Sequence, residues 1–416
     1  MSKTLKDYCI FQEGYVNPSQ KKSNYFGGDI KWLRTLDLTD KYIYDTSQHL
    51  TEEGFKSAGK SAILFPKNSI GINKSGTIIG AVSILKEPMC GNRAIINIVV
   101  HDEEILMYIY YLLKYKHKEI NRKAVGSIQR NLYISALETI ETTTDDRKKQ
   151  IGIGSVLETI DDKIHNNNRI RSELEAMAKT IYDYWFLQYE FPNAEGKPYK
   201  SSGGKMIWNE ALKRDIPADW EVCLLSDICE TKLGGTPNTK NEAYWNGDIP
   251  WLSSGEVAVS PVLESEKSIT ELGLENSATS YAEAGSIVLS ITRYIRASIL
   301  GIGACFNQSV IAVIPNEIYR TSFLYPFMQS QIDRYLTLRT GAQQPHINKE
   351  VVDSTLVVCP RGSTLQNYYS LVEMLYEKQL SAAKENQELI SLRDFLLPLL
   401  MNGQVGFEEL KSNIAK

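Results

Sequence analysis

Two stretches of the chain carry apolar residues at intervals of three and four, the spacing that places them on one face of a helix. In residues 155–186 this stripe consists of Ile160, Ile164, Leu174, Ala178, Ile181 and Trp185. In residues 364–401 it consists of Leu375, Ala382, Leu389, Leu396 and Leu400. Both stripes are narrow, as in coiled coils. We therefore predict two long helices that pack against each other.

Polar side chains interrupt each stripe, Asn167 and Arg171 in the first and Asn386 and Arg393 in the second. Such residues in a helix–helix seam fix the register at some cost in stability. The alternative is that each helix lies on its own domain and never touches the other. A helix of 32 residues is about 48 Å long, and one turn of duplex DNA advances roughly 34–36 Å. A rod of this length would allow two lobes to address two positions on one duplex.

An internal repeat precedes each long helix. The string YFGGDIKWL at residues 25–33 matches YWNGDIPWL at 244–252. Further on, Cys90 and Asn92 match Cys305 and Asn307. Short apolar runs at 95–100 and 287–291 predict strands in both copies. The fold class predicted is α+β, with two pseudo-repeated globular α/β domains joined by two long antiparallel coiled-coil helices.

The repeat also suggests domain boundaries. We call residues 1–150 the first lobe and residues 220–363 the second lobe. The other predicted segments are a central long helix at 151–190, a linker at 191–219, a C-terminal long helix at 364–403 and a tail at 404–416.

The string GFKSAGKS at residues 54–61 fits the phosphate-binding pattern G-x-x-x-x-G-K-[ST]. A phosphate loop follows a buried strand and opens a helix, yet residues 44–53 are polar. Residues 63–65 after it look like a strand, and Pro66 would break a helix. The repeat aligns 59–64 with 284–289, which lack the lysine. The string is therefore interpreted as a turn before a strand, and no ATP site is expected.

Composition narrows the class of protein. The net charge of −4 argues against a chain that binds nucleic acid by bulk charge alone. The first lobe has 22 Lys and Arg against 17 Asp and Glu, whereas residues 201–365 have 13 against 18. No apolar run is long enough to span a membrane, and no signal-peptide core is present. Six scattered cysteines predict buried free thiols in a reducing compartment, hence a cytoplasmic protein.

Catalytic constellations are missing from the sequence. There is no Asn/Asp-Pro-Pro-aromatic string, no G-x-S-x-G elbow and no H-x-x-x-H pair. The acidic doublets Asp145-Asp146 and Asp161-Asp162 are interpreted as solvated helix starts, and Gly152-x-Gly154 as another helix start. We therefore predict a binding subunit rather than an enzyme, with no catalytic residue, no cofactor and no metal.

Several strings resemble one family over essentially the whole chain. They are GGTPNTK at 234–240, YWNGDIPWLSS at 244–254, YDYWF at 182–186, FP at 191–192, GKPYKSSGG at 196–204 and GAQQPHI at 341–347. In this combination the chain resembles the specificity subunits of type I restriction–modification systems. The first copy departs from the pattern, since Lys31 replaces the proline of DIPWL and residues 126–132 lack the Pro-His pair.

The resemblance implies a function and partners. Two target-recognition domains would each read one half of a split duplex DNA site, and the two long helices would set the gap between the halves. Two methyltransferase subunits, and with them a restriction and translocase subunit, would join the chain, which itself would be non-catalytic. The alternative is a duplicated protein–protein scaffold without DNA sequence specificity.

Candidate DNA contacts follow from residue chemistry, because Arg and Lys read guanine, Asn and Gln read adenine, and hydroxyls grip phosphates. In the second lobe the candidates follow a predicted strand or the glycine of the late loop: Thr292, Arg293, Tyr294, Arg296, Gln343, Gln344 and His346. In the first lobe they are Lys67, Asn68, Lys74, Gln129 and Arg130. Since the second lobe is acidic overall, we expect its groove face to be locally basic.

Overall fold

The computed structural model describes residues 3–39, 41–126, 130–341, 343 and 345–406. The chain divides into two compact units. The first unit runs to His165 and takes in the chain again from Glu388, and the second unit is Asn166–Gln387. Each unit therefore contains a segment of both long helices. The six-part division drawn from the sequence stays a prediction, because the units cut each long helix in two.

The first lobe is built on two small sheets. Its strands are β1 (Cys9–Glu13), β2 (Phe26–Leu33), β3 (Tyr42–Ile43), β4 (His49–Leu50), β5 (Ser69–Asn73), β6 (Val82–Leu85), β7 (Cys90–Gly91) and β8 (Ile95–Val100). One sheet has the order β1-β8-β5-β6-β3, and the other has the order β4-β2-β7. Strand β8 has the predicted bounds, and its apolar run IINIVV lies in the core.

Short helices cover these sheets. They are α1 (Glu52–Lys56), α2 (Leu106–Tyr115), α3 (His117–Lys123) and α4 (Ile134–Leu137), and they are followed by the long helix α5 (Arg147–Tyr182). Single 3-10 turns in this lobe span Leu5–Asp7, Ser23–Tyr25, Thr35–Asp37, Gly59–Ser61 and Glu103–Ile105. Helix α5 ends in a π-helical turn, Asp183–Leu187.

The second unit repeats this plan with more strands. They are β9 (Met206–Asn209), β10 (Arg214–Pro217), β11 (Glu221–Leu224), β12 (Glu230–Leu233), β13 (Trp245–Leu252), β14 (Lys267–Ile269), β15 (Ser280–Ala282), β16 (Ile287–Ser290), β17 (Arg296–Ile299), β18 (Ala304–Phe306), β19 (Val310–Ile314) and β20 (Leu356–Cys359). The sheets have the orders β12-β19-β16-β17 and β14-β13-β18-β15, with two-stranded pairs β10-β9 and β11-β20.

The helices of the second unit follow the same order as in the first. They are α6 (Leu225–Ile228), α7 (Glu271–Glu275), α8 (Thr321–Ser330), α9 (Ile332–Thr337), α10 (Lys349–Asp353) and α11 (Thr364–Met401). Two 3-10 turns, Glu242–Tyr244 and Glu256–Ala258, flank β13. Helix α11 has the bounds predicted from its apolar stripe.

The internal repeat extends to individual hydrogen bonds. The indole Nε1 of Trp32 donates to the carbonyl of Val16 over 2.8 Å, and that of Trp251 donates to the carbonyl of Gly235 over 3.1 Å. Trp32 pairs in parallel with Cys90, as Trp251 does with Cys305. Both tryptophans are buried. The repeated aromatic residues therefore serve packing, and each sheet is built around one of them.

The repeat alignment at residues 59–64 is wrong. Asn68 and Gly285, both with positive φ, turn the chain into β5 and β16 respectively. The partner of Gly285 is therefore Asn68 and not Lys60. The strand predicted at 63–65 also fails, because only Phe65 forms an isolated bridge, with Met89.

Helix α5 begins eight residues before the predicted start at 155. The carboxylate of Asp146 accepts from the backbone N–H of Lys148 over 2.9 Å and caps the helix. Gly154 is an interior position, not a start: a Cβ there would lie 2.8 Å from the backbone nitrogen of Tyr108. The glycine thus allows α5 to approach α2 closely, which a periodicity argument cannot detect.

In the second unit the two long helices pack antiparallel. The side-chain amide of Asn167 donates to Asn386 over 2.9 Å and to Glu385 over 2.7 Å. Further along, the rings of Tyr182 and Tyr368 lie 6.4 Å apart. The predicted pairing of the helices is confirmed, and the asparagines that interrupt the two stripes, Asn167 and Asn386, meet each other.

In the first unit the same two helices also meet in opposite directions. The guanidinium of Arg393 donates to the carboxylate of Asp161 over 2.9 Å. The hydroxyl of Thr143, four residues before α5, lies 3.8 Å from the sulfur of Met401 at the end of α11. Asp161 is only 8% exposed. The interpretation of Asp161 as a solvated helix start is therefore wrong, since it is a buried partner of Arg393.

The ends of both long helices are built into the cores of the lobes. Trp185 and Phe186 pack with Trp220 and Tyr368 in the core of the second unit. Leu396 and Leu400 pack with the strands and helices of the first unit. Full burial of such a side chain contributes about 1.5–3 kcal/mol. These contacts, more than helix propensity, hold the long helices on their lobes.

Candidate nucleic-acid interface

A hairpin loop in the second lobe projects the predicted reading residues. Strands β16 and β17 pair antiparallel, with Ser290 opposite Arg296. At the two ends of the loop between them Ile291 and Ile295 are buried. The side chains of Arg293 and Tyr294 point to solvent, and Tyr294 is 63% exposed. Two apolar anchors therefore hold a short, polar tip in place.

The backbone of this tip is fixed from outside the hairpin. Arg293 has a φ of +57°, a conformation that costs a residue with a Cβ of order 1 kcal/mol or more. Its N–H donates to the carbonyl of Pro345 over 3.1 Å. Its carbonyl accepts from the guanidinium of Arg339 over 3.3 Å. Surrounding contacts thus stabilise a strained loop, a pattern that is common at binding sites.

The late loop of the lobe is joined to the same hairpin. Thr292 and Thr340 each form an isolated bridge with His346, and the N–H of Ile347 donates to the carbonyl of Ile291 over 3.1 Å. The structure therefore brings Thr292, Arg293 and His346 together. Gln343 is exposed in the late loop, and Gln344 lies outside the described residues.

The tip carries aromatic and cationic groups in contact. The guanidinium of Arg296 lies 5.4 Å from the ring centroid of Tyr294, and that of Arg293 lies 5.9 Å from it. Such cation–π contacts are worth about 0.5–1 kcal/mol when exposed and orient the planar guanidinium. With Arg339 beside them, three arginines cluster on a lobe of acidic composition, as expected of a locally basic face.

Sequence reasoning missed Arg339. Its Nε donates to the carbonyl of Leu336 over 3.0 Å at the end of α9, and its Nη1 reaches the carbonyl of Arg293. The only signal was a basic residue two positions before Gly341. Arg339 positions the loop rather than projecting from it.

The first lobe contains the same junction with different side chains. Ser75 and Val125 each form a bridge with Asn131, and the N–H of Leu132 donates to the carbonyl of Lys74 over 2.8 Å. These contacts match those at Thr292, Thr340 and Ile347. The counterpart of the second-lobe loop is therefore residues 74–80, where Thr77 and Ile78 are exposed.

Two of the predicted first-lobe cations are held by the protein itself. The ammonium of Lys74 lies 3.1 Å from the carboxylate of Glu13, and both side chains are mostly buried. Burial alone would raise the pKa of Glu13, but hydrogen bonds from Tyr15 and Lys74 outweigh it and lower that pKa. The guanidinium of Arg130 donates to the carbonyl of Asn121, in the last turn of α3, and to that of Ala124, just after the helix.

The remaining first-lobe candidates are not brought together with these. Lys67 and Asn68 precede β5, whereas Lys74 follows it, so the five residues of the strand separate them by roughly 16 Å. Gln129 lies outside the described residues. The positive φ of Asn68 serves the turn into β5, as Gly285 serves the turn into β16.

The string at residues 54–61 has a structural explanation. Thr51 caps α1 by accepting from the N–H of Gly54 over 3.2 Å, as Thr270 accepts from Gly273 over 3.1 Å. A Cβ at Gly54 would lie 2.2 Å from the carbonyl oxygen of Tyr25. The first glycine of the string therefore belongs to a capped helix that both lobes share, not to a phosphate loop.

Metal and membrane sites are two further possibilities for the described ranges. Within them no group of three or more His, Cys, Asp and Glu side chains could hold a metal ion. No helix among them has the length and apolarity needed to cross a bilayer. All six cysteines are free thiols, and all but Cys223 are buried. Burial raises the pKa of Cys9, Cys90 and Cys229 to about 12.

Two lobes of one plan, each with a hairpin joined to a late loop, define a duplicated recognition protein. The chain belongs to the family described as the type I restriction modification DNA specificity domain, whose model matches residues 1–176 and 217–387. The resemblance seen in the sequence is confirmed. So are the DNA-specificity function and the assignment as a non-catalytic subunit, because the family is defined by specificity.

Relatives of known description agree. The type I restriction enzyme MjaIX specificity subunit of Methanocaldococcus jannaschii is 28% identical over 407 residues, which cover 95% of this chain and 91% of the relative. The HindI specificity subunit of Haemophilus influenzae is 21% identical over 321 residues, covering 65% and 70%.

A solved structure supports the fold class. The crystal structure of the S subunit of a type I restriction–modification system from M. genitalium superposes with a TM-score of 0.57. Its sequence is 17% identical, and the match covers 96% of this chain and 95% of that one. The predicted fold class, two repeated α/β domains joined by two long antiparallel helices, is confirmed.

Proposed function

We propose that this chain reads a bipartite duplex DNA site, with one half-site for each lobe, and positions adenine methyltransferase subunits on it. The observation that carries the proposal is the junction of the hairpin at 291–295 with the late loop at 340–346. The same junction recurs at 74–80 and 125–131 with other side chains. Two matched frames with different exposed groups suit the reading of two different sequences.

The proposed contacts are centred on the second-lobe tip. Arg293, Arg296 and Gln343 would read base edges, whereas Thr292, Tyr294 and His346 would contact the backbone or orient the readers. Gln344 and Gln129 are proposed as DNA contacts on the basis of the sequence alone. In the first lobe Lys74 and Arg130 would contact DNA while they keep their bonds to Glu13 and to backbone carbonyls. Lys67 and Asn68 would need a separate approach of the duplex.

Two methyltransferase subunits are the proposed partners, and a restriction and translocase subunit would join them. The complex would act on double-stranded DNA in the cytoplasm, where free thiols persist. One surface suits such a partner. On α11, Phe395 is 66% exposed and Leu392 lies one turn before it, also exposed. Two large apolar side chains on one helix face, left in solvent, are typical of a docking surface.

The bipartite proposal is tested with the chain and its neighbouring methyltransferase expressed together. A methylome of those cells is expected to show one adenine motif in two parts with a fixed gap. Binding of that motif should exceed binding of random duplex by several kcal/mol. A complex that assembles but has no sequence preference would support the scaffold alternative.

Placing charge on the apolar face of α11 is expected to weaken assembly. The variant Leu392→Asp/Phe395→Asp should lose about tenfold or more in affinity for the methyltransferase subunit, because apolar anchors dominate such interfaces. Sedimentation or calorimetry with purified subunits measures this. The variant should still bind DNA weakly through its lobes.

The matched control is Lys60→Ala, in the string that imitates a phosphate loop and on an exposed turn. It should assemble and support modification normally. If the charged α11 variant also assembles normally, docking occurs elsewhere on the chain. A loss of nucleotide binding in Lys60→Ala would instead favour an enzyme.

A further inference from the structure

The two reading loops share a frame but present different chemistry. In the second lobe the exposed groups are Arg293, Tyr294 and Arg296. In the first lobe the matched loop exposes Thr77 and Ile78, and Ile78 is 43% exposed. A base edge placed at the two loops would therefore meet hydrogen-bond donors at one and methyl groups at the other.

The second-lobe guanidinium groups have their donors unused by the protein. Among the described residues, neither Arg293 nor Arg296 donates a side-chain hydrogen bond, and each lies against the ring of Tyr294. An arginine fork carries five N–H donors. A planar fork that lies against an aromatic ring matches the paired O6 and N7 acceptors of guanine in the major groove.

The first-lobe cations near the matched loop are already satisfied. Lys74 is paired with Glu13, and Arg130 donates to carbonyl groups near the end of α3. What remains exposed at the tip is the apolar side chain of Ile78 and the methyl and hydroxyl of Thr77. Groups of this kind recognise the C5-methyl of thymine.

We propose that the half-site read by the second lobe contains a guanine recognised by Arg293 or Arg296, and that the half-site read by the first lobe contains a thymine whose methyl contacts Ile78 and Thr77. This inference rests on the proposed function, since it requires that both loops enter a groove. It names the base chemistry of each half-site, which the bipartite proposal leaves open.

The test combines loop variants with the methylome of the complex. Arg293→Gly removes the guanidinium and suits the positive φ, and Arg296→Ala removes the second one. At least one of these variants should discriminate guanine from the other bases about tenfold or more less well than the wild type, and in one half-site only. Arg361→Ala, an exposed arginine that pairs with Glu221, should leave both half-sites unchanged.

Modified duplexes test each contact at the atom concerned. Replacing that guanine by 7-deazaguanine removes the N7 acceptor and should weaken binding by the wild-type complex but not by the responsible arginine variant. In the other half-site, deoxyuridine in place of thymidine removes the methyl and should weaken binding severalfold. Ile78→Ala should be less sensitive to that exchange.

The other outcomes would overturn either this inference or the proposed function. If both arginine variants bind all duplexes more weakly by the same factor, and their affinity depends less steeply on salt concentration, these arginines contact phosphates and the inference is overturned. It is also overturned if the affected half-site lacks guanine, or if uracil substitution has no effect in the other half. A methylome without any bipartite motif would instead contradict the proposed function itself.

Discussion

Replacing Arg393 with alanine is expected to cost the first unit about 3–5 kcal/mol, the usual effect of removing one partner from a buried ion pair. Arg393 donates to Asp161 over 2.9 Å, and the side chains are only 19% and 8% exposed. Without the guanidinium, Asp161 keeps the hydroxyl of Tyr111, 2.5 Å away, as a neutral donor. Burial, followed by the nearby carboxylate, raises the pKa of Tyr111, so Tyr111 keeps its proton and supplies a hydrogen bond but no positive charge.

Hydrogen exchange of the backbone amides at the end of α11 measures this effect, because local opening can be followed there without assuming that the whole chain unfolds in one step. The double variant Asp161→Leu/Arg393→Leu should recover most of the loss, since two apolar side chains leave no charge unpaired. Arg147→Ala is the matched control in the same unit. Its ion pair with Asp102 is exposed and screened by water, so little or no change is expected. Equal losses in Arg147→Ala and Arg393→Ala would contradict the argument.

Periodicity located the long helices because their apolar stripes are tertiary contacts. The bounds of α11 follow from it directly. The start of α5 does not, because residues 147–150 are charged or polar and two glycines interrupt the apolar positions after them. This part of the helix is stabilised by the cap at Asp146 and by the close approach of Gly154 to Tyr108. Neither contact changes the spacing of apolar residues in the sequence, so periodicity cannot detect it.

The candidate interface was predictable in position but not in detail. A strand end followed by basic and aromatic residues located Arg293 and Tyr294. No local pattern shows that Lys74 is paired with Glu13, which is 61 residues away in sequence. Likewise Asn68 looks like a base reader, yet its backbone makes the same turn as Gly285. Whether a polar side chain is available to a ligand depends on its long-range partners, and single-sequence reasoning cannot supply them.

The long helices make a second large effect testable. If they set the separation of the two readers, lengthening both helices by about four residues should lengthen the gap between half-sites and leave both half-sites unchanged. Four residues of helix add about 6 Å, which corresponds to roughly two base pairs at 3.4 Å each. The spacer in the methylome is the measurement.

The structure shows that one insertion is not enough. Asn386 bonds to both Asn167 and Asn168, so lengthening α5 alone would shift it against α11 by a full turn. Matched insertions, between Asn168 and Arg169 and between Lys384 and Glu385, preserve those bonds. The paired variant should methylate a site with the longer spacer, whereas the α5 insertion alone should lose most modification because the polar contacts and the apolar seam no longer coincide. If the paired variant keeps the original spacer, or changes the half-site sequences instead, the helices do not measure the distance between the readers.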